Sequence, residues 1–183
     1  MTTLTRLWEL AGEQHGFVTT QDAEGYGIPA TTLVKAAARG RLWRVAHGVY
    51  RFPEFPETEL DPYALATLWA AQRGVLSHET ALQLHDLCDV EPEKIHLTVP
   101  RHCRIRRQGG DAYVIHHQDL VPEDLAWFEG IRIVTAERAI RQAIATAVAP
   151  HLVGQSIETA RRRGRIPRDL AAELDRLLHH VDA

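Results

Sequence analysis

The residue types best suited to chemistry occur together at Ser77-His78-Glu79, where a hydroxyl, an imidazole and a carboxylate are consecutive. A hydrolase would need the histidine to take the serine proton, so the two side chains would have to face each other. Successive side chains diverge on a helix, and this triplet opens a predicted helix that continues through His85. Ser77 is better explained as the N-cap of that helix. We therefore expect no catalytic residue here.

The eleven histidines raise the question of a metal site. His78 and His85 are seven residues apart, about two helical turns, so they need a third element to share an ion. His116 and His117 are consecutive in a predicted strand, so at most one of them points inward. The HExxH spacing is missing, and the two cysteines, Cys88 and Cys103, form no Cys-x-x-Cys pair. The sequence predicts no metal ion and no cofactor.

Signatures of nucleotide and nucleic-acid enzymes are also missing. A nuclease of the Asp and Glu-x-Lys type needs a lysine at a set spacing, and the chain has only Lys35 and Lys94. Glu93-Lys94 precedes a predicted strand at the wrong spacing, and no Gly-x-x-x-x-Gly-Lys loop is present. We expect a protein that is not an enzyme.

The first 52 residues have the pattern of a winged helix-turn-helix. Thr19 or Thr20 can cap the second of three helices, with Asp22 in its first turn. The predicted elements are a helix with the apolar face Leu4, Leu7, Trp8 and Ala11, a second helix, a turn at 26–29, a third helix over about 30–39, and a hairpin with strands at 41–45 and 49–52.

The third helix has the composition of a helix that reads the major groove of DNA. Leu33, Ala36 and Ala37 would pack on the first two helices, which leaves short polar and basic side chains on the opposite face. Cations on the hairpin are placed to touch phosphates or the minor groove. The candidate DNA-contacting residues are Thr31, Thr32, Lys35, Arg39, Arg41, Arg44, His47 and Arg51. The alternative is a winged helix that contacts protein and carries solvated charges.

The distribution of charge and proline predicts two domains. Residues 1–52 hold six Lys/Arg against four Asp/Glu, whereas residues 53–100 hold two against nine. The proline-rich, acidic stretch within 53–61 is the predicted linker. Residues 62–183 then form a mixed α/β domain with a small sheet and several helices, so the fold class is α+β.

Basic runs in the second domain are either solvated faces or a surface for an acidic partner or a phosphate. Together with the Ser77 triplet they supply the candidate partner-binding residues. These are Ser77, His78, Glu79, Arg104, Arg106, Arg107, Arg161, Arg162 and Arg163.

The sequence also predicts the compartment. Its N-terminus, MTTLTRLWEL, lacks the apolar core of a signal peptide, and no stretch approaches the roughly 20 apolar residues of a membrane span. We expect a cytoplasmic protein.

Several stretches together resemble the AbiEi family of antitoxins. Gly16–Thr20 and Gly40–Arg51 resemble that family's winged-helix start, and Leu76–His85 resembles its serine-histidine-glutamate helix. Ile95–Pro100 and Ile131–Arg138 resemble the following strand and strand-helix junction. The matching stretches follow in order over nearly the whole chain.

This resemblance implies an antitoxin of a type IV toxin–antitoxin, or abortive infection, system. Such proteins bind inverted repeats of double-stranded DNA in their own promoter through the winged helix and repress transcription. Their C-terminal domain counters a nucleotidyltransferase toxin encoded nearby. The alternative is a stand-alone winged-helix transcriptional regulator whose C-terminal domain senses a ligand or a partner.

Overall fold

Two compact units make up the part of the chain that the computed structural model describes, residues 3–105 and 110–181. The first unit extends to Gly74 and includes the described residues at 104–105 and 110–111. The second unit holds Val75–Cys103 and the described chain from Ala112 onward. No helix within residues 3–105 or 110–181 is both long and apolar enough to cross a membrane.

The first unit begins as the predicted winged helix. Its three strands form an antiparallel sheet in the order β1-β3-β2, with Val18 opposite Tyr50 and Arg44 opposite Tyr50 on the other side. The elements are α1 (Thr3–Glu13), β1 (Phe17–Thr19), α2 (Thr20–Gly25), α3 (Ala30–Ala38), β2 (Trp43–Ala46), β3 (Val49–Arg51) and α4 (Asp61–Trp69).

A capping box starts α2. The Thr19 hydroxyl accepts a hydrogen bond from the Asp22 backbone N–H at 3.1 Å, and the Thr19 N–H donates to the Asp22 carboxylate at 2.7 Å. The predicted cap is therefore confirmed, with Thr19 in that position. Beneath the helices lies a core that includes the fully buried Leu7, Ala11 and Leu33.

The predicted linker at 53–61 and the helix after it belong to the first unit. Phe55 packs on the winged-helix core, with its ring centroid 4.5 Å from that of Trp8. Arg51 in β3 forms an ion pair at 2.9 Å with Asp61, the first residue of α4. An aromatic contact and a buried ion pair thus bind this segment to the winged helix, so the compact units divide after Gly74 and not at 61.

The second unit is a five-stranded mixed sheet with helices, and with the first unit it confirms the predicted α+β class. The strand order is β6-β5-β4-β8-β7, where β5/β6 and β4/β8 are parallel and the other pairs antiparallel. The elements are β4 (Val75–Leu76), α5 (His78–Leu84), β5 (Ile95–Val99), β6 (Tyr113–His117), β7 (Leu125–Phe128), β8 (Ile131–Val134), α6 (Ala136–Ala145), α7 (Pro150–Arg162) and α8 (Arg168–Val181).

Two strands of this sheet were not predicted. β4 has two residues and is central, bonded to β5 on one side and β8 on the other. Two residues are too few for an alternating pattern, so only the pairing identifies β4 as a strand. β7 alternates between exposed and half-buried positions at the edge of the sheet.

Candidate nucleic-acid interface

One face of α3 is buried and the other is open to solvent. Leu33 is fully buried and Ala36 nearly so, which confirms the predicted packing face. The opposite face follows the helical spacing i, i+3, i+4 and i+7, and all four of its side chains are exposed. Its members are Thr31, Val34, Lys35 and Ala38. Arg39 is exposed directly after the helix, and Thr32 is half-buried beside this face.

Val34 was missed by the sequence analysis, which named only polar and basic side chains of α3 as candidate contacts. Its side chain is 54% exposed. An apolar side chain on a recognition helix can contact the methyl group of thymine, which lies in the major groove. The signal was present in the spacing, because Val34 stands three residues after Thr31 and one before Lys35.

The N-terminus of α3 is suited to an anion. Pro29 occupies the N-cap position, and proline has no side-chain acceptor to offer the first backbone N–H groups. The Thr32 N–H donates to the Pro29 carbonyl at 2.8 Å, and the positive end of the helix dipole favours a phosphate. Thr31 adds a hydroxyl in the first turn.

The β2–β3 hairpin forms the wing. It turns at His47-Gly48, where Gly48 has φ +71°, a left-handed conformation that glycine adopts without strain. Arg41, Arg44 and His47 are exposed on or beside the hairpin, as predicted. Trp43, 49% exposed, adds an aromatic surface among these cations.

Arg51 is the exception among the predicted DNA contacts, and its assignment was wrong. It is 4% exposed, and its Nη2 donates to the Asp61 carboxylate and to the Pro56 carbonyl, both at 2.9 Å. Its guanidinium also lies 5.6 Å from the ring centroid of Phe17. All three residues of β3 are buried, since β1 and β2 flank that strand. Arg51 therefore joins α4 to the winged helix and cannot reach a phosphate.

Two of the predicted partner-binding arginines of the second unit form ion pairs with carboxylates. Arg161 donates to both carboxylate oxygens of Glu158, at 2.9 and 2.7 Å. Arg163 binds the carboxylate and the carbonyl of Asp86, each at 2.7 Å. Arg162 is exposed, and so is Arg104, which belongs to the first unit. The predictions for Arg106 and Arg107 fall outside the described residues.

Ser77 and His78 do face each other, contrary to prediction. The Ser77 hydroxyl lies 2.9 Å from His78 Nδ1 and accepts from the Thr98 hydroxyl at 2.8 Å, and it makes no capping bond. The reason is the backbone: Ser77 is extended and His78 has φ +52°, so the rule for successive helical residues does not apply. Ser77 is fully buried, so a substrate cannot reach its hydroxyl.

Three histidines that the sequence analysis did not connect meet in the second unit. One ring nitrogen from each of His78, His96 and His116 lies within 4.8 Å of the others. His96 Nε2 also lies 3.1 Å from a carboxylate oxygen of Glu79. The parallel pairing of β5 with β6, which sets Thr98 opposite His116, brings these elements together. We call these three residues the histidine triad.

Burial keeps the triad neutral near pH 7. Burial, together with a smaller effect of the neighbouring imidazoles, lowers the pKa of His78 to about 3 and that of His116 to about 4. The pKa of His96 is also lowered by burial, against the opposing effect of Glu79. Beside the triad is a cavity of about 510 Å³, whose lining includes His78, His116, Arg101, Arg138 and Arg141.

These elements define a winged helix-turn-helix with an exposed recognition face, a fold that many DNA-binding regulators use. Residues 6–53 match the family described as "Transcriptional regulator, AbiEi antitoxin". The resemblance to AbiEi antitoxins is confirmed over these residues, so this part of the first unit is similar to transcriptional regulators of that family.

A solved structure extends the likeness in fold to both units. The crystal structure of the RV2827C protein from Mycobacterium tuberculosis superposes with a TM-score of 0.52 at 16% sequence identity. The match covers 97% of this chain and 78% of that one. None of the curated proteins compared with the chain matches it.

Proposed function

We propose that this chain is a cytoplasmic antitoxin that represses its own transcription. In this proposal the winged helix binds inverted repeats in the chain's own promoter, and the second unit counters a nucleotidyltransferase toxin encoded nearby. The observation that carries the proposal is the exposed face of α3, with Thr31, Val34 and Lys35, on a module that matches antitoxin regulators. Its action is binding, without a catalytic step.

The exposed cations of the winged helix fall into two groups, one placed to contact bases and one placed to contact the DNA backbone. Lys35 stands in the middle of the exposed face of α3, and Arg39 follows its end. Arg41 and Arg44 lie beyond the helix, where the strands of a wing meet the sugar-phosphate backbone. Each phosphate contact makes the slope of log K against log salt concentration more negative by about 0.9, so binding should weaken steeply as salt is added.

The test of DNA binding is a gel-shift titration of the full chain on DNA from upstream of its own gene, with scrambled competitor. Lys35→Ala and Arg39→Ala should each weaken specific binding by about 1–3 kcal/mol if they contact bases. Arg6→Ala is the matched control, because Arg6 is an exposed cation of α1 in the same unit. Specific binding that survives both α3 changes would refute this recognition surface.

The antitoxin role needs its own test. Co-expression of the full chain with the neighbouring nucleotidyltransferase should restore growth, and the Lys35→Ala/Arg39→Ala double variant should restore it equally because the second unit is intact. Continued toxicity with the soluble wild-type chain would refute the role and leave the DNA-binding proposal standing.

The cavity of the second unit favours one alternative, a stand-alone regulator that senses a ligand. Arg101, Arg138 and Arg141 in its lining suit an anion, although Arg138 already binds Asp124 and Arg141 binds Glu137 and Glu173. A nucleotidyltransferase gene in the same operon would argue against this alternative. Release of operator DNA by a small anionic metabolite would favour it.

A further inference from the structure

The histidine triad joins three elements of the second unit at one point. His78 begins α5, His96 lies in β5 and His116 in β6. Their ring nitrogens converge within 4.8 Å. We propose that His78, His96 and His116 form a binding site for a divalent transition-metal ion of the Zn²⁺ class.

The nitrogen spacing fits a metal ion. Zn–N bonds of about 2.0–2.1 Å at a tetrahedral angle place two ligand nitrogens roughly 3.3 Å apart. His116 Nε2 and His96 Nδ1 are already 3.2 Å apart. The rings of His78 and His116 stack face to face, with centroids 3.4 Å apart. Coordination would require the His78 ring to turn about its Cβ–Cγ bond, a torsion with broad minima.

Groups around the triad hold the second ring nitrogens of His78 and His96. Glu79 lies 3.1 Å from His96 Nε2, so a proton there leaves the lone pair of Nδ1 for the ion. In the tautomer with its proton on Nδ1, His78 donates to the Ser77 hydroxyl and keeps its Nε2 lone pair. A metal-binding histidine generally donates its second N–H to a carboxylate or another oxygen in this way.

The backbone of His78 is a separate indication. His78 is buried at φ +52°, a left-handed conformation that is sparsely populated by residues other than glycine. Its backbone N–H donates a hydrogen bond to the Gln142 side-chain oxygen at 3.2 Å. Such strain persists where the surroundings hold it, and it concentrates at functional sites. Here it turns the imidazole towards β5 and β6.

The chemistry of the donor set selects the ion. Neutral imidazoles suit zinc, copper, iron and nickel, whereas calcium and magnesium prefer oxygen ligands. Three protein ligands leave a fourth position on tetrahedral zinc. Because His78 and His116 also line the cavity, water or an anion there could take that position.

The test is calorimetric titration of ZnCl₂ into the full chain, free of any affinity tag and stripped with EDTA. We expect one Zn²⁺ per chain. His96→Gln and His116→Gln should weaken binding by about 100-fold or more, since loss of a supporting partner alone costs about 10- to 100-fold. Glu79→Gln should weaken Zn²⁺ binding by about 10- to 100-fold, because Glu79 is such a supporting partner. Cobalt should give the visible absorption of a four-coordinate ion.

His117→Gln is the matched control, because His117 follows His116 on the same strand and is not a member of the triad. Its affinity should stay within about twofold of wild type. The proposal would be overturned if the wild-type chain shows no saturable Zn²⁺ site, if His116→Gln binds Zn²⁺ as tightly as wild type, or if His117→Gln loses as much affinity as His116→Gln. Circular dichroism of each variant in EDTA shows whether it is folded. If a histidine variant unfolds, the Zn²⁺ affinity of Glu79→Gln tests the proposal in its place. The titration contains no DNA or toxin, so it is independent of the proposed function.

Discussion

Two arginines on neighbouring strands should respond in opposite ways to the same change. Arg51→Met should lower the free energy of unfolding and leave the salt dependence of DNA binding unchanged, because Arg51 is buried against Asp61. Arg44→Met should reduce the salt dependence of DNA binding and leave the free energy of unfolding nearly unchanged, because Arg44 is exposed on β2. Methionine keeps an unbranched apolar chain in both cases and removes only the charged group.

The size of the first effect follows from the surroundings of the ion pair. Removing one partner of a buried pair costs about 3–5 kcal/mol. Nε and Nη1 of Arg51 are buried and find no hydrogen-bond partner among the described residues, so the substitution also removes a penalty. Asp61 keeps the bond it accepts from the Thr58 hydroxyl at 2.7 Å. We therefore expect about 3 kcal/mol, the lower end of that range.

The second effect is read from salt. If Arg44 contacts one phosphate, its loss should reduce the slope of log K against log salt concentration by about 0.9, and stability should stay within about 0.5 kcal/mol of wild type. Urea denaturation followed by circular dichroism measures the stability, and fluorescence anisotropy with operator DNA at several KCl concentrations measures the slope. A stable Arg51→Met with a reduced slope would refute the assignment of Arg51 to the interior.

Three further changes test other parts of the structure. Gly16→Ala should cost at least about 1–2 kcal/mol in thermal or urea unfolding, because Gly16 has φ +83° and an added Cβ would stand 2.7 Å from a Phe55 atom; Gly25→Ala, with open space, should be nearly neutral. Burial lowers the pKa of His85, as it does for the histidine triad, so the unfolded chain binds more protons and stability should fall as pH drops below 6.5; His85→Gln should make that fall shallower between pH 7 and 5, and the triad should account for the remainder. Val34→Ala should weaken operator binding by about 1 kcal/mol at unchanged stability, and equal affinity would exclude Val34 from the interface.

Local sequence determined the winged helix closely. The apolar spacing of α1, the Thr19-Asp22 cap of α2 and the glycine at the tip of the hairpin each depend on residues a few positions apart. Such signals act within one element or one turn, so they can be read along the chain. The exposed face of α3 was predicted for the same reason. Val34 lies on that face by its helical spacing, but its apolar side chain was not counted among the candidate contacts.

The tertiary structure decided whatever depends on pairing between distant strands and helices. A cation on a hairpin is exposed or buried according to its flanking strands, and β1 and α4 enclose Arg51. The unpredicted β4 exists only through its two neighbours. The histidine triad has no sequence signature, since 18 and 20 residues separate its members and they meet only through the parallel register of β5 and β6 and the left-handed turn at His78. Contacts of this range arise from packing of the whole unit, so a local pattern along the chain cannot specify them.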